Sequence, residues 1–216
     1  MNTNIEEFRL LASKPLDLES IKRKYLDYIS EAILIREVEN SFLDLFDGGE
    51  MNGTVHTCVG QEFSAVAIGA ALKQEDWITS NHRCHGHFIS KTKKWRELID
   101  ELRGYKTGVC MGIGSSQHLY SSGFLSNGPQ AALIPVGSGI AKHLKDSEHS
   151  SVCVSFFGEG TLGEGLVYET MNLASVLELP HVFVLENNLY SQSTPQSQAV
   201  AGSFELRAKA FDLKFF

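Results

Sequence analysis

Residues 152–188 read VCVSFFGEGTLGEGLVYETMNLASVLELPHVFVLENN, two apolar runs separated by a glycine-rich turn and a helical stretch. Neither Val152-Cys153-Val154-Ser155-Phe156 nor Val182-Phe183-Val184-Leu185 alternates in the way a strand with one wet face would. Continuous apolar runs of this length suit strands buried on both faces, as in parallel sheets covered by helices. Thr161 to Leu177, between them, reads as the helical crossover that parallel strands require. The segment predicts a βαβ unit, and the fold class is α/β: a doubly wound parallel sheet with helices on both faces.

Upstream, Leu26, Ile29, Ile33, Leu34, Val38, Phe42, Leu45 and Phe46 recur at helical steps, which predicts a long helix over 17–46, stopped by Gly48-Gly49. Gly60-Gln61-Glu62 opens a shorter helix through Leu72. Trp77–Ser80 is a strand candidate that empties into a histidine-rich loop, and Trp95–Arg103 is a helix closed by Gly104. Between Gly104 and Gly128 glycines break every period, so a long loop is expected, of the kind usually kept for binding. Ala131–Leu144 returns to helix; Gly69, Gly137 and Gly139 suggest helix faces packed closely against a partner. With no internal repeat, residues 1–216 are read as one domain, residues 1–50 being its helical lead-in.

The composition is that of a globular chain: 216 residues, 43% hydrophobic and 21% charged, with 19 basic and 26 acidic side chains giving a net charge of -7. Acidic excess argues against nucleic acid or an anionic membrane as partner, and Lys91–Lys94 is too short a basic run to reverse that. Cys58, Cys84, Cys110 and Cys153 form no C-x-x-C pair and read as reduced, mostly buried thiols. Met1–Phe8 lacks the basic flank and apolar core of a signal peptide, and the longest apolar stretch, Ala65–Leu72, is too short to span a bilayer. A cytoplasmic location is the expectation.

Ligands of open parallel sheets bind beyond the carboxyl ends of the strands. Here those ends run into Asn81-His82-Arg83-Cys84-His85-Gly86-His87, Gly158-Glu159-Gly160-Thr161 and Glu186-Asn187-Asn188-Leu189-Tyr190. The glycine turn lets a phosphate approach the backbone and a helix N-terminus. A helix end supplies only about half a charge, so a diphosphate would need a metal and an arginine as well. Glu159 and Asn188, on adjacent strand ends, offer hard oxygen ligands that suit magnesium better than zinc.

Gly158-Glu159-Gly160, an interval of 26 residues, and then Asn187-Asn188 resemble the thiamine diphosphate motif. Gly163-Glu164-Gly165, residues Glu169 to Ala174, Leu179-Pro180, His56 with Gly60-Gln61-Glu62, Arg83 to Gly86, Gly114 to His118 and Ser191 to Pro195 extend the likeness. In order, from about Tyr25 to Ala210, they resemble the alpha subunit of the decarboxylating first component of 2-oxo acid dehydrogenase complexes. The resemblance implies thiamine diphosphate and Mg2+ as cofactors. It makes Glu159, Asn188 and the carbonyl of Tyr190 the metal ligands. Gly158, Gly160, Thr161, Asn188, Tyr190, Arg83 and His82 would bind the cofactor's diphosphate end, and Gly128 and Gln130 its aminopyrimidine. His56, His85 and His118 would be the catalytic histidines. The implied reaction is attack of a thiazolium carbanion on a small 2-oxo acid, loss of carbon dioxide, and acyl transfer to a lipoyl group. The implied partners are a beta-type subunit carrying the pyrimidine-binding glutamate, in a heterotetramer, and a lipoyl-bearing acyltransferase.

Two positions depart from the family pattern: Glu159 replaces aspartate, adding about 1.5 Å of reach, and His82 replaces tyrosine. Weaker magnesium binding than in Glu159→Asp is expected, because magnesium tolerates little deviation in geometry. Family alpha subunits continue past the equivalent of Phe216, so this chain is expected to be an incomplete diphosphate-binding half, inactive alone. Three other readings compete. Gly158-x-Gly160-x-x-Gly163 also fits a nicotinamide- or flavin-binding Rossmann turn, but the acid expected about 20 residues on is absent at that spacing, with only Glu186 at the end of the second strand to serve instead. The cluster His82, Cys84, His85, His87 fits no structural zinc spacing. A degenerate, non-catalytic interaction module of the same fold is the third. His87, His143, His149 and His181 are read as satisfied or structural, Met171 as core, and Asp100, Glu101 and the acids near Glu148 as solvated helix faces.

Overall fold

A computed structural model describes residues 18–51, 53–147 and 150–216. The expectations for Met1–Phe8, for a helix start at Asp17, and for Glu148 and His149 lie outside the described residues. Helix α1 runs Leu18–Asp47 with a kink at Tyr25, and α2 runs Glu62–Ala71. Then follow β1 (Trp77–Ser80), α3 (His85–Thr92), α4 (Trp95–Leu102), β2 (Tyr120–Ser121), β3 (Phe124–Ser126) and α5 (Leu133–Asp146). The βαβ unit is β4 (Cys153–Gly158), a 3-10 turn (Glu159–Gly163), α6 (Gly165–Val176) and β5 (His181–Glu186). A hairpin of β6 (Tyr190–Ser191) and β7 (Thr194–Pro195) and two short helices, α7 (Gln196–Ala199) and α8 (Phe204–Lys209), complete the chain.

The main sheet has the order β2-β3-β1-β4-β5. β3, β1, β4 and β5 are parallel, and the two-residue β2 adds an antiparallel edge. The α/β class and the parallel βαβ unit are as the sequence predicts. Adjacent residues of β4 show why its apolar run is unbroken: Phe156 packs into a core with Ile35, Phe42, Val66, Phe88 and Ile78, whereas Phe157 packs into a second one with Ile134, Val167 and Met171. A strand with a helical layer on each face has no polar side to advertise.

Three expectations are corrected. The segment after β1 is not a loop throughout: α3 starts at His85. The long stretch 104–128 contains β3, whose three residues between Gly123 and Asn127 pair with β1. The helix glycines pack inside the chain: a Cβ on Gly69 would lie 2.0 Å from Ser90 Oγ, and one on Gly137 would lie 2.4 Å from Ser155 Oγ, while Gly139 meets nothing within 4 Å. Gly69 and Gly137 therefore serve close helix–helix and helix–sheet approach within this chain. Among the described residues no helix is long and apolar enough to cross a membrane.

The topology also locates the site. From β1 the chain crosses to β3 on one side, and from β4 it crosses to β5 on the other. The carboxyl ends of β1 and β4 therefore flank a topological switch point, where the outgoing connections diverge and leave a crevice.

Candidate functional site

A cavity of about 500 Å³ opens at that crevice. Its wall joins residues after β1 (Asn81, His82, Arg83), after β4 (Gly158 to Thr161) and after β5 (Asn188, Tyr190), with His56, Gly128 and Gln130 from flanking loops. A larger concavity of about 660 Å³ lies at the opposite end of the sheet beside Trp77, Val136, Ile140 and His143. It lies at amino rather than carboxyl ends of strands, and Trp77, Val136, Ile140 and Leu144 give it a mainly apolar wall, so the crevice is the stronger candidate.

Glu159 is the most telling residue. It is 1% exposed, and its Oε1 has no hydrogen-bond partner. A buried carboxylate oxygen without a donor is costly unless a cation completes it. Among the described residues no group of three His, Cys, Asp or Glu side chains could hold a metal. A cation here would therefore rest on one carboxylate plus amide and carbonyl oxygens, which suits a hard ion such as magnesium. Asn188 and Tyr190 line the same cavity. Asn188 Oδ1 accepts the Tyr190 N–H at 2.9 Å, a turn that fixes the amide while leaving a lone pair free.

Gly160 is required by its neighbour: a Cβ there would fall 1.9 Å from Ser191 Oγ and 2.8 Å from Ser191 Cβ. Gly128 is similarly constrained, its Cβ position lying 2.4 Å from Gln117 Oε1. On the opposite wall Gln130 Nε2 donates to His82 Nδ1 at 2.6 Å, which leaves the ring proton on Nε2 as a donor. Burial, with His56 and Arg83 nearby, lowers the His82 pKa to about 4. Burial and Arg83 lower that of His56, whose ring meets His82 edge to face at 4.8 Å. At neutral pH both imidazoles are uncharged, and the fixed positive charge of this wall is Arg83, which also donates to the Thr57 carbonyl.

All sequence-predicted site residues line the cavity except His85 and His118. His85 is wholly buried behind it, with Nδ1 2.9 Å from Glu39 Oε1 and Nε2 2.9 Å from Ser116 Oγ. His118 is exposed at the rim, its Nε2 4.0 Å from the Cβ position of Gly128. Sequence reasoning assigned no role to Asn81, Gln117 or Gln192 and weighed Glu186 only as the acid of a nicotinamide site; all four also line the wall. Glu186 accepts from Ser64 Oγ at 2.6 Å and pairs with His87 Nε2 at 3.2 Å. Burial pushes its pKa up, but His87, Ser64 and Asn81 outweigh that and hold it below the usual carboxylate value. Its signal was its position at the end of β5. His87 is satisfied as expected, between Glu186 and Ser80, stacked on Phe156 at 3.7 Å. His181 is bonded by Ser138 and Ser155 and is structural as read. Glu101 corrects its expectation: it is 0% exposed, not on a solvated face.

A family model for the dehydrogenase E1 component matches residues 30–213. The chain belongs to the dehydrogenase E1 component family. Among relatives of this E1-component chain, the pyruvate dehydrogenase E1 component subunit alpha of Rickettsia typhi is 32% identical over 189 residues, covering 86% of this chain and 58% of the relative. The mitochondrial pyruvate dehydrogenase E1 component subunit alpha of Kluyveromyces lactis is 33% identical over 194 residues, covering 89% of this chain and 47% of the relative. The somatic-form counterpart of Pan troglodytes is 31% identical over 196 residues, covering 90% and 50%. This E1-component chain thus spans about half the length of the curated relatives it matches.

Proposed function

We propose that this chain is the diphosphate-binding, alpha-type part of a thiamine diphosphate-dependent 2-oxo acid dehydrogenase, completed by a beta-type subunit or domain. The observation that carries the reading is the unpartnered, buried Glu159 oxygen beside a glycine turn at the sheet's switch point. Family membership and relatives named as pyruvate dehydrogenase alpha subunits support the same cofactor.

Glu159, Asn188 and the Tyr190 carbonyl would hold Mg2+, and the backbone of Gly160 and Thr161 the diphosphate. Arg83 would neutralise phosphate charge, with His82 Nε2–H donating to a phosphate oxygen as a neutral ring. Gly128 and Gln130 would meet the aminopyrimidine. When bound, thiamine diphosphate supplies the electron sink that decarboxylation of a 2-oxo acid needs. His56, uncharged at neutral pH and beside Arg83, is placed to take up a proton as charge develops near it. His85, held behind the wall, would act through Glu39 and Ser116 on the loop that carries His118. The acyl group would pass to a lipoyl group on an acyltransferase partner.

The test is calorimetric titration of the chain with thiamine diphosphate, with Mg2+ and with a chelator, followed by decarboxylation assays after co-expression with a beta-type chain. Binding only with the metal, and carbon dioxide release only with the partner, are expected. Equal binding in chelator would overturn the metal assignment. No binding in either would overturn the cofactor.

A further inference from the structure

Glu101 sits in the last turn of α4, wholly buried, and its carboxylate collects four backbone N–H donors from a segment without helix or strand. Oε2 accepts from Cys110 at 2.7 Å and Gly112 at 2.9 Å, and Oε1 from Gly114 at 2.7 Å and Ser115 at 3.2 Å. Such a cup of amides satisfies the acceptor oxygens of a carboxylate where water cannot reach them. The segment is also pressed onto the helix: a Cβ on Gly108 would fall 2.6 Å from Glu101 Cα. The next residue, Ser116, is gripped from the other side, its Oγ bonded to His85, which is itself bonded to the buried Glu39. Two buried carboxylates on two helices thus hold consecutive parts of one loop. Gln117, which follows directly, lines the cavity and lies against Gly128, while its carbonyl accepts from Ser126 Oγ at 2.9 Å.

We infer that Glu101 is a positioning residue: its carboxylate fixes segment 110–115 so that Gln117 forms part of the cavity wall, with His118 at its rim, before any ligand arrives. The inference rests on the reading of that cavity as a thiamine diphosphate site. Without the carboxylate, the wall must be ordered at the moment of binding, and the affinity falls by that cost.

The test compares the full chain with Glu101→Gln, whose amide has one acceptor oxygen and turns an N–H2 towards two of the four donors. Hydrogen exchange is followed at Cys110, Gly112, Gly114 and Ser115 and, as a reference, at the β4 amides. Binding of thiamine diphosphate with Mg2+ is titrated in parallel. In Glu101→Gln, exchange at the loop amides should quicken by about tenfold or more and affinity fall by about tenfold, with β4 unchanged. Loop and β4 amides quickening together would make Glu101 a general stabiliser and overturn the inference. A freed loop with undiminished affinity would overturn it as well. If the variant does not fold, the wild-type chain still decides: the four amides must be protected although they belong to no helix or strand, and free exchange there refutes the clamp. A wild-type chain that binds no thiamine diphosphate would sink the functional reading instead, and the exchange pattern would then judge the clamp alone.

Discussion

Gly160→Ala offers a quantitative trial of the glycine turn. The new Cβ would stand 2.8 Å from Ser191 Cβ and 1.9 Å from its Oγ. Carbon atoms settle at about 3.5–4.0 Å, so rotation of the hydroxyl alone does not suffice and the Ser191 backbone must retreat by about 1 Å. That backbone belongs to β6, which pairs with Thr194 across a two-residue hairpin and is tied at its base by Gln196 N–H donating to Leu189 O at 2.8 Å. Overpacking of this kind costs about 1–3 kcal/mol, and in a domain of this size each kcal/mol lowers Tm by about 2–4 °C. Ser191→Gly removes both offending atoms at the cost of about 0.5–1 kcal/mol in chain entropy. The double variant should therefore be no less stable than Ser191→Gly, giving a coupling energy of about 1–3 kcal/mol in a urea-unfolding cycle. Strict additivity, to within about 0.5 kcal/mol, would show that the two residues do not touch and would refute the account of the turn.

Three further outcomes are expected. Glu159→Gln should raise Tm in metal-free buffer, because it removes an uncompensated buried charge, while weakening magnesium-dependent binding at least about tenfold; Glu159→Asp should bind magnesium more tightly than the wild type. For pH, the His82 and His181 pKa values lie at about 4 against an ordinary 6.5. The unfolded chain takes up protons that the folded chain refuses, so stability is flat above pH 6.5 and falls as the pH drops from there towards 4; denaturant titrations of wild type and His181→Asn at pH 7 and 5 check this, the variant showing the shallower loss. Glu186→Gln replaces the carboxylate that accepts from Ser64 and bonds His87 at a buried site and should cost about 1–3 kcal/mol, and an unchanged urea midpoint would contradict the network drawn around it.

The sequence carried the βαβ unit plainly because β4 is enclosed by helical layers, and that enclosure writes itself into an unbroken apolar run; β5 carries the same kind of run but lies at the sheet edge, half-buried, with Val182 exposed. It carried the cavity wall through a single topological rule, that ligands gather where strands end. It was silent on β3, since three residues between a glycine and an asparagine have no period to measure. Glu101 was misread for a different reason. In the helix Trp95–Leu102 a glutamate looks like a solvated position, and only the return of residues 110–115 over it, a contact made by tertiary folding, turns it into an anchor.

The histidines show where the limit lies. His85-Gly86-His87 has no apolar stripe, so the start of α3 was invisible and both rings were judged as loop residues. Once the segment is helical, two residues apart means about 200° of rotation, which sends the rings to opposite sides. His85 reaches towards Glu39 on α1, and His87 lies on Phe156 of the sheet and meets Glu186. Neither ring faces the ligand space directly, yet each bonds a residue that flanks it: Ser116, next to Gln117, in one case and Glu186 in the other. His56 and His82, in contrast, precede the helix on chain that is free to turn its side chains into the crevice. The division of labour among the four histidines between positions 56 and 87 is thus set by one helix start, and a reading that misses that start cannot tell a wall from its buttress.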